Sequence, residues 1–532
     1  MRIILDGLRV FVKKVPVSVT NLDQELKPFI SSFSGIPEDD IRSYRILRKT
    51  LDARERRKLH FIFKIDVDVV ESSKQAAKFP SPSLQVSHPL RQLSPLKGIP
   101  LNPVVVGSGP AGLMAALLLA EYGLKPIICE RGRDVNSRHE DIGQFLQSRQ
   151  LNTESNYLFG EGGAGTYSDG KLYTRINDPA SSYVLESFVA AGAPEEILYL
   201  KRPHIGSDML PKMVKNIREK IISLGGSFLW STAVSDVFIE KKRCRGVITS
   251  KGEKIEAPFV LMAPGLSARD IITALIGNGV NYFLKGFQIG CRVEHSQSFV
   301  NMFQYGIDPL PPFLSAAEYN FVSRPPNDRN AGAVTFCMCP GGEIIPAVNQ
   351  QGRLSTNGMS PYGRNGHFAN SAIIVNQDPS GFKTYVDAFA FIDNIERLAF
   401  EAGGSDFAAP AQDAYSFVRG EESLSSSKSS YRFGTVSARI DTILPQRTAD
   451  AVSEALIHFE KMAAGFMTSG KIIGVETHVS SPVRFFRHPE TFQSSLEGLY
   501  FAGEGAGYAG GIMSSAVDGL NIAEKILRNG IS

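Results

Sequence analysis

The feature that most constrains the fold is a short apolar run followed by a glycine-rich turn. Val104–Val106 have the composition of a buried strand, and the glycines after them have the spacing G-x-G-x-x-G. Gly107 allows a tight turn, Gly109 lets the backbone approach a pyrophosphate, and Gly112 lets helix and strand pack closely. Leu113–Tyr122 continue as a helix. This order predicts a Rossmann-type domain that binds a dinucleotide, with the pyrophosphate at the positive end of the helix.

A second strand and an acid complete this pattern. The segment KPIICE ends at Glu130, 18 residues after Gly112, where an acidic side chain is placed to accept hydrogen bonds from a ribose diol. A glycine-rich turn without a ligand would need every one of these elements to coincide. The residues that we expect to contact the dinucleotide are Gly107, Ser108, Gly109, Pro110, Ala111, Gly112, Glu130 and Arg131.

The C-terminal segment bears on the choice between FAD and NAD. It runs from Gly498 to Ile526 as a strand, a glycine-rich turn and a helix, and it resembles the last segment of the two-dinucleotide-binding-domain flavoproteins. In that class the acid after the strand binds the ribityl or pyrophosphate part of the flavin, and the helix N-terminus faces its pyrimidine edge. The resemblance therefore implies FAD contacts at Gly503, Glu504, Gly511, Ile512 and Met513.

A third segment with the same resemblance lies between these two. Lys254–Gly265 are similar to the strand that ends in Ala-Thr-Gly in those flavoproteins, although Pro264 stands where Thr is usual. Residues 225–255 look like the antiparallel meander of the class, which would place Ala233 or Val234 near the adenine. The contacts that this implies are Val234, Ala263 and Gly265.

These elements predict an α/β fold with several parts. The core is an FAD/NAD(P)-binding Rossmann-like fold of the two-dinucleotide-binding-domain type, with an inserted α+β cap or substrate domain and a small N-terminal α/β domain. We expect the N-terminal domain and a Ser/Pro-rich linker in residues 1–95, the first part of the FAD-binding domain in 96–280, the cap in 281–490, and the return of the FAD-binding domain in 491–532.

The N-terminal region combines a strand pattern with a basic segment. Apolar residues alternate from Leu59 to Val69, which predicts a strand, and Asn21 is a candidate N-cap for a helix that carries Leu22, Leu26, Phe29 and Ile30. Residues 45–60 hold seven Lys or Arg and two acids. This run is either a solvated face or an RNA-binding surface, and the absence of interleaved aromatic residues favours the solvated face.

A closer resemblance rests on six sequence blocks, which read FGEGGAGTYSDGKL, RVEHSQ, TFCMCPGG, NGMSPYGRNGHFANSAIIV, GVETHVSSPVRF and GEGAGYAGGIMSSAVDG. They are similar to the signature segments of the uncharacterised FAD-dependent dehydrogenases of bacteria and plastid-bearing organisms. That resemblance implies bound FAD and an oxidoreductase activity without a named substrate, and we expect the FAD to be held without a covalent bond. His478 departs from the Arg expected at its position, as Pro264 does from Thr.

The first block contains a near match to the phosphate-binding loop of ATPases. The motif needs Ser or Thr after its Lys to hold magnesium, and it must join a strand to a helix. Leu172 occupies that position, and no β-branched strand precedes the loop. The alternative is a glycine-rich segment that lies beside the flavin or its phosphates. On that interpretation the contacts are Gly162, Gly163, Ala164, Gly165, Thr166 and Lys171, with Ser168 nearby.

Candidates for catalysis come from the predicted cap. In GCRVEH, Arg292 and Glu294 fall on one strand face and His295 on the other. His295 could donate a proton to a reduced substrate, or it is a structural histidine. Arg484 could bind a substrate carboxylate in bidentate fashion, or it forms an interdomain ion pair.

Two cysteines of the cap share a strand face. Cys337 and Cys339 are two residues apart, so their Cα atoms would lie about 6.5 Å apart, at the edge of disulfide geometry. They are either small buried apolar residues or redox-active thiols near the flavin.

Composition excludes few partners. The net charge of +3 does not indicate a polyanionic partner, the five cysteines have no zinc-like spacing, and the apolar runs fall well short of the roughly 20 residues of a membrane span. We expect a cytoplasmic enzyme with a small-molecule substrate and no membrane or metal. Because the sequence has one dinucleotide fingerprint, NAD(P)H would bind transiently in the cap cleft.

Overall fold

The computed structural model describes residues 1–71, 75–81, 101–174, 178–324, 332–426 and 428–529. Most of the predicted Ser/Pro-rich linker lies outside the described residues. No helix in the described ranges is long and apolar enough to cross a membrane.

The N-terminal module is an antiparallel sheet with a helix packed against it. The alternation predicted from Leu59 to Val69 is confirmed, because its apolar members are all buried in the central strand or beside it. The predicted helix start is wrong. Asn21 caps a short 3-10 turn, and the helix begins at Lys27 because Pro28 lacks an N–H and is tolerated only in the first turn. The elements are β1 (Arg2–Phe11), α1 (Lys27–Ser34), β2 (Ile41–Asp52) and β3 (His60–Val69), in the sheet order β1-β3-β2.

The centre of the chain and its C-terminal segment form one parallel sheet. Its strands are β4 (Val104–Val106), β5 (Ile127–Cys129), β6 (Ser227–Leu229), β10 (Val260–Met262) and β22 (Leu499–Phe501), and the helices are α2 (Pro110–Glu121), α3 (Val135–Ser148), α4 (Ala180–Ala190), α5 (Leu210–Ser223), α6 (Arg269–Gly277) and α12 (Ile512–Asn529). The strand order is β22-β10-β4-β5-β6, so β4 lies at the centre and pairs directly with β10 and β5.

Helix α2 is buried on almost every side because two glycines permit close contacts. A Cβ at Gly112 would lie 2.0 Å from the carbonyl oxygen of Gly107, and a Cβ at Gly519 of α12 would lie 2.0 Å from that of Ala111. The third fingerprint glycine therefore has the packing role that its position predicts. It brings α2 against its own turn, and Gly519 brings α12 against α2.

An antiparallel meander precedes β10, with β8 in the middle. The predicted meander began too early. Ser227–Leu229 pair in parallel with β5 and belong to the Rossmann-like sheet instead. The meander strands are β7 (Val234–Glu240), β8 (Arg243–Thr249) and β9 (Lys254–Glu256).

The predicted cap, residues 281–490, contains a seven-stranded mixed sheet with helices packed on it. The sheet order is β13-β14-β17-β12-β20-β18-β19, and a two-stranded ribbon, β11 with β21, lies where the chain enters and leaves the cap. The bounds are β11 (Tyr282–Leu284), β12 (Phe287–Ser296), α7 (Gln297–Tyr305), β13 (Val322–Ser323), β14 (Ala333–Cys339), β15 (Glu343–Pro346), β16 (Thr356–Met359), β17 (Phe368–Gln377), α8 (Tyr385–Ala402), β18 (Ala409–Asp413), α9 (Ala414–Arg419), β19 (Thr435–Ser437), α10 (Ile440–Ile443), α11 (Gln446–Met462), β20 (Lys471–Glu476) and β21 (Val483–Phe485).

The two faces of the cap sheet differ in chemistry. On β12, Cys291 and Val293 point into the apolar core that also contains Phe459 of α11. Arg292 and Glu294 point to the opposite face, where they are buried with polar partners. The division between faces follows the alternation predicted from GCRVEH. The cap therefore has a buried ionic layer on the face away from its apolar core.

Candidate functional site

The glycine-rich turn after β4 lies against a second glycine-rich loop. A Cβ placed on Gly163 would lie 3.1 Å from the Cα of Gly109, and the N–H of Gly162 donates to the carbonyl of Ser108 at 2.9 Å. Gly107 has φ of +95°, and a Cβ there would lie 2.3 Å from the carbonyl oxygen of Ala263. A side chain has no room at Gly107 and little room at Gly163, so backbone lines the space in front of α2.

The same loop also reaches the start of α12. A Cβ on Gly165 would lie 3.0 Å from Cγ1 of Ile512. Gly505, in the turn before α12, faces Gly265, since a Cβ there would lie 2.5 Å from the Gly265 carbonyl oxygen. The structure thus brings together three segments that are far apart in the sequence, at residues 107–112, 162–166 and 503–513.

Arg138 of α3 holds the second glycine-rich loop through hydrogen bonds to its backbone. It is fully buried, and it donates to the carbonyls of Asn156, Glu161 and Gly163 at 2.7 to 2.9 Å. Its Nη2 has no hydrogen-bond partner among the described residues. A buried guanidinium with a spare donor beside a glycine-rich backbone fits a phosphate ligand. No motif marks Arg138 in the sequence; the only signal is an Arg in the helix that follows the ribose acid.

The acceptor positions of the Glu130 carboxylate are already used within the protein. One carboxylate oxygen accepts from the N–H and the hydroxyl of Ser108 at 2.9 and 2.7 Å, and the other accepts from the N–H groups of Gly132 and Gly160 at 2.9 and 3.1 Å. A carboxylate offers about four acceptor positions. The structure therefore gives Glu130 the role of fastening the turn to the second loop, and a ribose would have to share acceptors already in use.

A cavity of about 420 Å³ lies at the end of the parallel sheet, beside the meander. Arg131 and Val234, both predicted to contact the cofactor, are among its lining residues, together with Ala233. The Arg131 guanidinium lies 4.3 Å from the ring centroid of Phe159 and pairs with Asp270 at 2.6 Å. Arg131 also pairs with Glu154 at 3.0 Å, so the wall is a planar guanidinium held between two carboxylates, and a planar group of this kind can stack on an adenine ring.

The C-terminal turn is held by a network of charged residues. Asp518 of α12 accepts from the N–H of Gly503 at 2.7 Å and is held by Arg487 through two contacts of 2.8 and 2.7 Å. Burial raises the pKa of Glu504 to about 8, and Lys285 opposes that shift. The Glu504 carboxyl therefore keeps its proton at neutral pH and can act as a hydrogen-bond donor.

The remaining residues predicted to contact the cofactor lie in or near the cradle, by which we mean the space between residues 107–112, 162–166 and 503–513. Thr166 donates its hydroxyl to the carbonyl of Glu161 at 3.0 Å, so its side chain stabilises the loop. Met513 is buried at the start of α12, whereas Ala164 is exposed. Lys171 is an exception, because it lies with Asp169 at 3.7 Å and with Cys337 and Cys339 of the cap. Those neighbours do not support the predicted contact between Lys171 and a phosphate.

His295, the first of the two candidate catalytic residues, is enclosed by aromatic side chains. His295 is buried between the rings of Phe299 and Phe466, and its Nε2 lies 2.7 Å from the Phe466 carbonyl. Burial lowers its pKa to about 4, so the ring is neutral at physiological pH. It is buried among aromatic residues of the predicted cap, and these contacts favour the structural alternative over the catalytic one.

Arg484 holds the C-terminal turn. Its Nε donates to the carbonyl of Gly507 at 3.1 Å, and its guanidinium lies 5.1 Å from the ring centroid of Tyr508. Arg484 has no ion-pair partner among the described residues, so the predicted interdomain ion pair is wrong, and its contacts position the residues around Glu504. Its binding of a substrate carboxylate stays a prediction.

His478, which departs from the pattern of the resembling dehydrogenases, is also buried. Its Nδ1 lies 2.9 Å from the hydroxyl of Ser267, and its Nε2 lies 3.4 Å from Glu396. Burial lowers its pKa to about 4. A neutral histidine here links the loop after β10 to α8, next to Arg269, which also pairs with Glu396.

The comparisons with known proteins agree with this geometry. Residues 101–153 match a family model described as an FAD binding domain, and residues 286–479 match one described as FAD-dependent protein, C-terminal domain-like. Residues 11–68 match a domain of unknown function. The protein is therefore an FAD-binding flavoprotein of mixed α/β fold.

A sequence relative places it within a family. An uncharacterised protein of Clostridium beijerinckii is 38% identical over 502 residues, which cover 93% of this chain and 94% of the relative. The chain belongs to the family of FAD-dependent proteins that this relative and the C-terminal domain define.

Solved structures show more distant likenesses. CtdE in complex with FAD is 13% identical, with 81% of this chain and 86% of that chain covered and a TM-score of 0.34. L-proline dehydrogenase from P. horikoshii is 12% identical, with 81% and 94% covered and a TM-score of 0.35. A geranylgeranyl bacteriochlorophyll reductase-like protein from Thermoplasma acidophilum is 13% identical, with 81% and 80% covered and a TM-score of 0.36. Likenesses this distant carry no argument about the reaction.

Proposed function

We propose that the protein is an oxidoreductase that holds FAD without a covalent bond and exchanges a hydride with a small-molecule substrate. The observation that carries this is the convergence of three segments at Gly109, Gly163 and Ile512. When bound, FAD supplies a reversible two-electron acceptor.

The phosphate end of the cofactor would lie between α2 and the second glycine-rich loop. The N-terminus of α2 offers backbone N–H groups and a positive dipole. Gly109 has φ of −71°, and a Cβ there would meet Gly163 Cα only at 4.0 Å, so the space in front of it is open to a ligand. Arg138 adds the unpartnered Nη2 of a buried cation. These groups would neutralise a pyrophosphate.

The residues around Glu504 would hold the middle of the cofactor. A protonated Glu504 can donate to a ribityl hydroxyl, and the N-terminus of α12 at Ile512 directs a positive dipole toward any electron-rich ring edge next to it. Arg484 and Arg487 fix the turn that carries Glu504. The chain would thus orient the cofactor through preformed backbone, with few mobile side chains.

The source of electrons is a separate part of the proposal. The single fingerprint at residues 107–112 is expected to be filled by FAD, so NAD(P)H would act as a transient donor from the cap side. The alternative of an RNA-binding flavoprotein receives no support from the N-terminal module. Its basic residues Arg45, Arg48 and Lys49 pair with Asp66, Asp6 and Asp23 at 2.5 to 3.4 Å, which reduces the positive potential there.

Purification and a visible spectrum test the cofactor. We expect a yellow protein whose FAD is released by denaturation, and a folded protein that stays colourless in excess FAD would contradict the proposal. Anaerobic stopped-flow mixing with NADPH and with NADH then tests the donor through loss of the flavin absorbance. If neither reduces the flavin, a panel of small reduced substrates should, and failure of all donors would refute the oxidoreductase activity while leaving FAD binding intact.

A further inference from the structure

Strand β14 of the cap is interrupted by a bulge at a cysteine. It pairs regularly with β17 up to Phe336 opposite Ala372, and the pairing resumes at Cys339 opposite Asn370 with a shifted register. Cys337 lies inside the bulge with φ of +45°, a region that residues other than glycine rarely adopt. Bulges and strained residues of this kind concentrate at functional sites.

The second cysteine and two cations surround Cys337. The thiol of Cys339 donates to the Cys337 carbonyl at 3.2 Å. Arg292 donates to the same carbonyl at 3.2 Å. The Nζ of Lys171 is enclosed and forms no hydrogen bond within the described residues. Cys337 itself keeps part of its surface exposed, whereas Cys339 is buried.

The charges around this pair do not balance without a further anion. Asp169 forms two hydrogen bonds with Arg364, at 3.0 and 2.6 Å, and lies farther from Lys171, at 3.7 Å. Glu476 pairs with Arg292 at 2.6 Å. Three cations thus face two carboxylates.

The remaining charged neighbours do not change this balance. Glu318 faces Lys171 and Arg364 and pairs with Arg202 at 2.7 Å, so these two residues add one carboxylate and one cation. Tyr173, which also faces this region, has its pKa raised by burial and stays neutral. One positive charge is left over in the cluster that contains Lys171, beside the two sulfurs.

We propose that Cys337 is a reactive thiolate and that Cys339 is its resolving thiol, so that the pair is oxidised by hydroperoxides to an intramolecular disulfide. The thiolate supplies a further anion beside Lys171. The adjacent Cys339 side chain, with Lys171 and Arg292, holds the pKa of Cys337 well below its usual range, while the pKa of Cys339 is raised. This division between a low-pKa nucleophile and a protonated neighbour suits a two-step oxidation.

The chemistry balances with a peroxide as oxidant. The Cys337 thiolate attacks the peroxide oxygen, the O–O bond breaks, and a sulfenic acid and a hydroxide or alkoxide form. The Cys339 sulfur then displaces the sulfenic hydroxyl, its thiol proton leaves with that hydroxyl as water, and the disulfide bond forms. The two sulfurs lose two electrons in total, and the peroxide gains them. Neither step depends on the proposed oxidoreductase activity.

Alkylation of the reduced holoprotein tests the thiolate. Iodoacetamide at pH 6 should label Cys337 ahead of Cys129, Cys244 and Cys291, because burial raises the pKa of these three thiols. The Cys337 rate should change little from pH 6 to pH 8, whereas an ordinary thiol reacts about tenfold faster for each pH unit below its pKa of about 8.5. A rate that climbs in this ordinary way, or no labelling of Cys337, would overturn the proposal.

Two variants of Lys171 distinguish an electrostatic effect on the Cys337 thiolate from a structural effect. Lys171→Met should lower the alkylation rate at pH 6 but not at pH 9, and Lys171→Arg should restore it, with circular dichroism as the control for folding. A merely structural lysine would change both rates together, which counts against the thiolate.

Peroxide tests the pair itself. Both cysteines lie in the tryptic peptide 330–353, so one equivalent of hydrogen peroxide should yield this peptide lighter by two hydrogens. In Cys339→Ser, dimedone should trap a sulfenic acid on Cys337. The absence of both products in a folded protein would refute the proposal, whether or not the protein binds FAD.

Discussion

Gly109→Ala separates a cofactor site from a merely compact turn. The backbone at Gly109 has φ of −71° and ψ of −179°, which alanine adopts without strain, and the nearest atom to the added methyl would be Gly163 Cα at 4.0 Å. The protein alone therefore has room for the methyl group. A pyrophosphate that approaches this backbone does not, because the methyl would occupy the space between the ligand and the N–H groups of α2.

The expected magnitudes follow from these contacts. In the apoprotein, alanine at an N-cap costs roughly 0.5–1 kcal/mol relative to glycine, and the lower entropy of the unfolded chain offsets about 0.4–1 kcal/mol. The free energy of unfolding should thus stay nearly unchanged. Loss of one hydrogen bond to a charged phosphate costs about 1.5–3 kcal/mol, which raises the Kd for FAD roughly 10- to 150-fold.

The assay measures both quantities on the same samples. Urea unfolding of the apoprotein gives stability, and quenching of FAD fluorescence on titration gives Kd. Gly143→Ala is the matched control, since Gly143 lies in α3 with no atom within 4 Å of an added Cβ and should bind FAD like the wild type. Wild-type FAD affinity in a stable Gly109→Ala protein would refute the placement of the pyrophosphate.

Three further outcomes are expected. Gly163→Val should weaken FAD binding and also lower stability, because φ is +63° and Gly109 lies within 3.1 Å of the new Cβ, while ATP should not compete with FAD in an equilibrium titration. Arg138→Met should release FAD from the purified protein, because it removes the unpartnered Nη2 and the hydrogen bonds to Glu161 and Gly163. The visible spectrum measures the bound FAD, and full retention would count against a phosphate contact. Burial raises the pKa of Glu161 to about 7, above its unfolded value. The protonated carboxyl therefore contributes fully to the free energy of unfolding below about pH 4.5, and up to about 3 kcal/mol of that contribution is lost as pH rises through 7. Glu161→Gln should flatten this part of the pH dependence of the urea midpoint, and an unchanged slope would contradict the expectation.

Local patterns in the sequence account for much of the FAD-binding half. The strand, turn and helix from Val104 to Tyr122 depend on neighbours a few residues apart, and the same is true of the alternation from Leu59 to Val69. Contacts between distant segments are different. Nothing in the sequence near Arg138 indicates that it lies under residues 160–163, and nothing near Lys171 indicates that it faces Cys337. Such contacts depend on the packing of the cap sheet against the second loop, which a one-dimensional pattern does not encode.

Glu130 shows how a correct motif can leave the local chemistry open. The spacing identified an acid at the end of β5, and the structure has it there. Its four acceptor positions are filled by the turn and by Gly132 and Gly160, because the second loop returns to this point from 30 residues away. The fingerprint records where the chain turns. It does not record which donors other segments bring to that turn.

The loop that resembles an ATPase motif owes its composition to two different neighbours. In its first half, Gly163 and Gly165 have little room for a side chain, because a Cβ would lie 3.1 Å from Gly109 Cα and 3.0 Å from Ile512 Cγ1, respectively. Its second half, Asp169–Lys171, needs charge because it enters the ionic layer of the cap beside Arg364. The ATPase-like order of glycines followed by Lys171 therefore arises because the segment passes from a crowded backbone contact into a charged layer. The segment links the cofactor cradle to the two cysteines, so a charge change at Cys337 would act on Lys171, a few residues from the loop that lines the cradle.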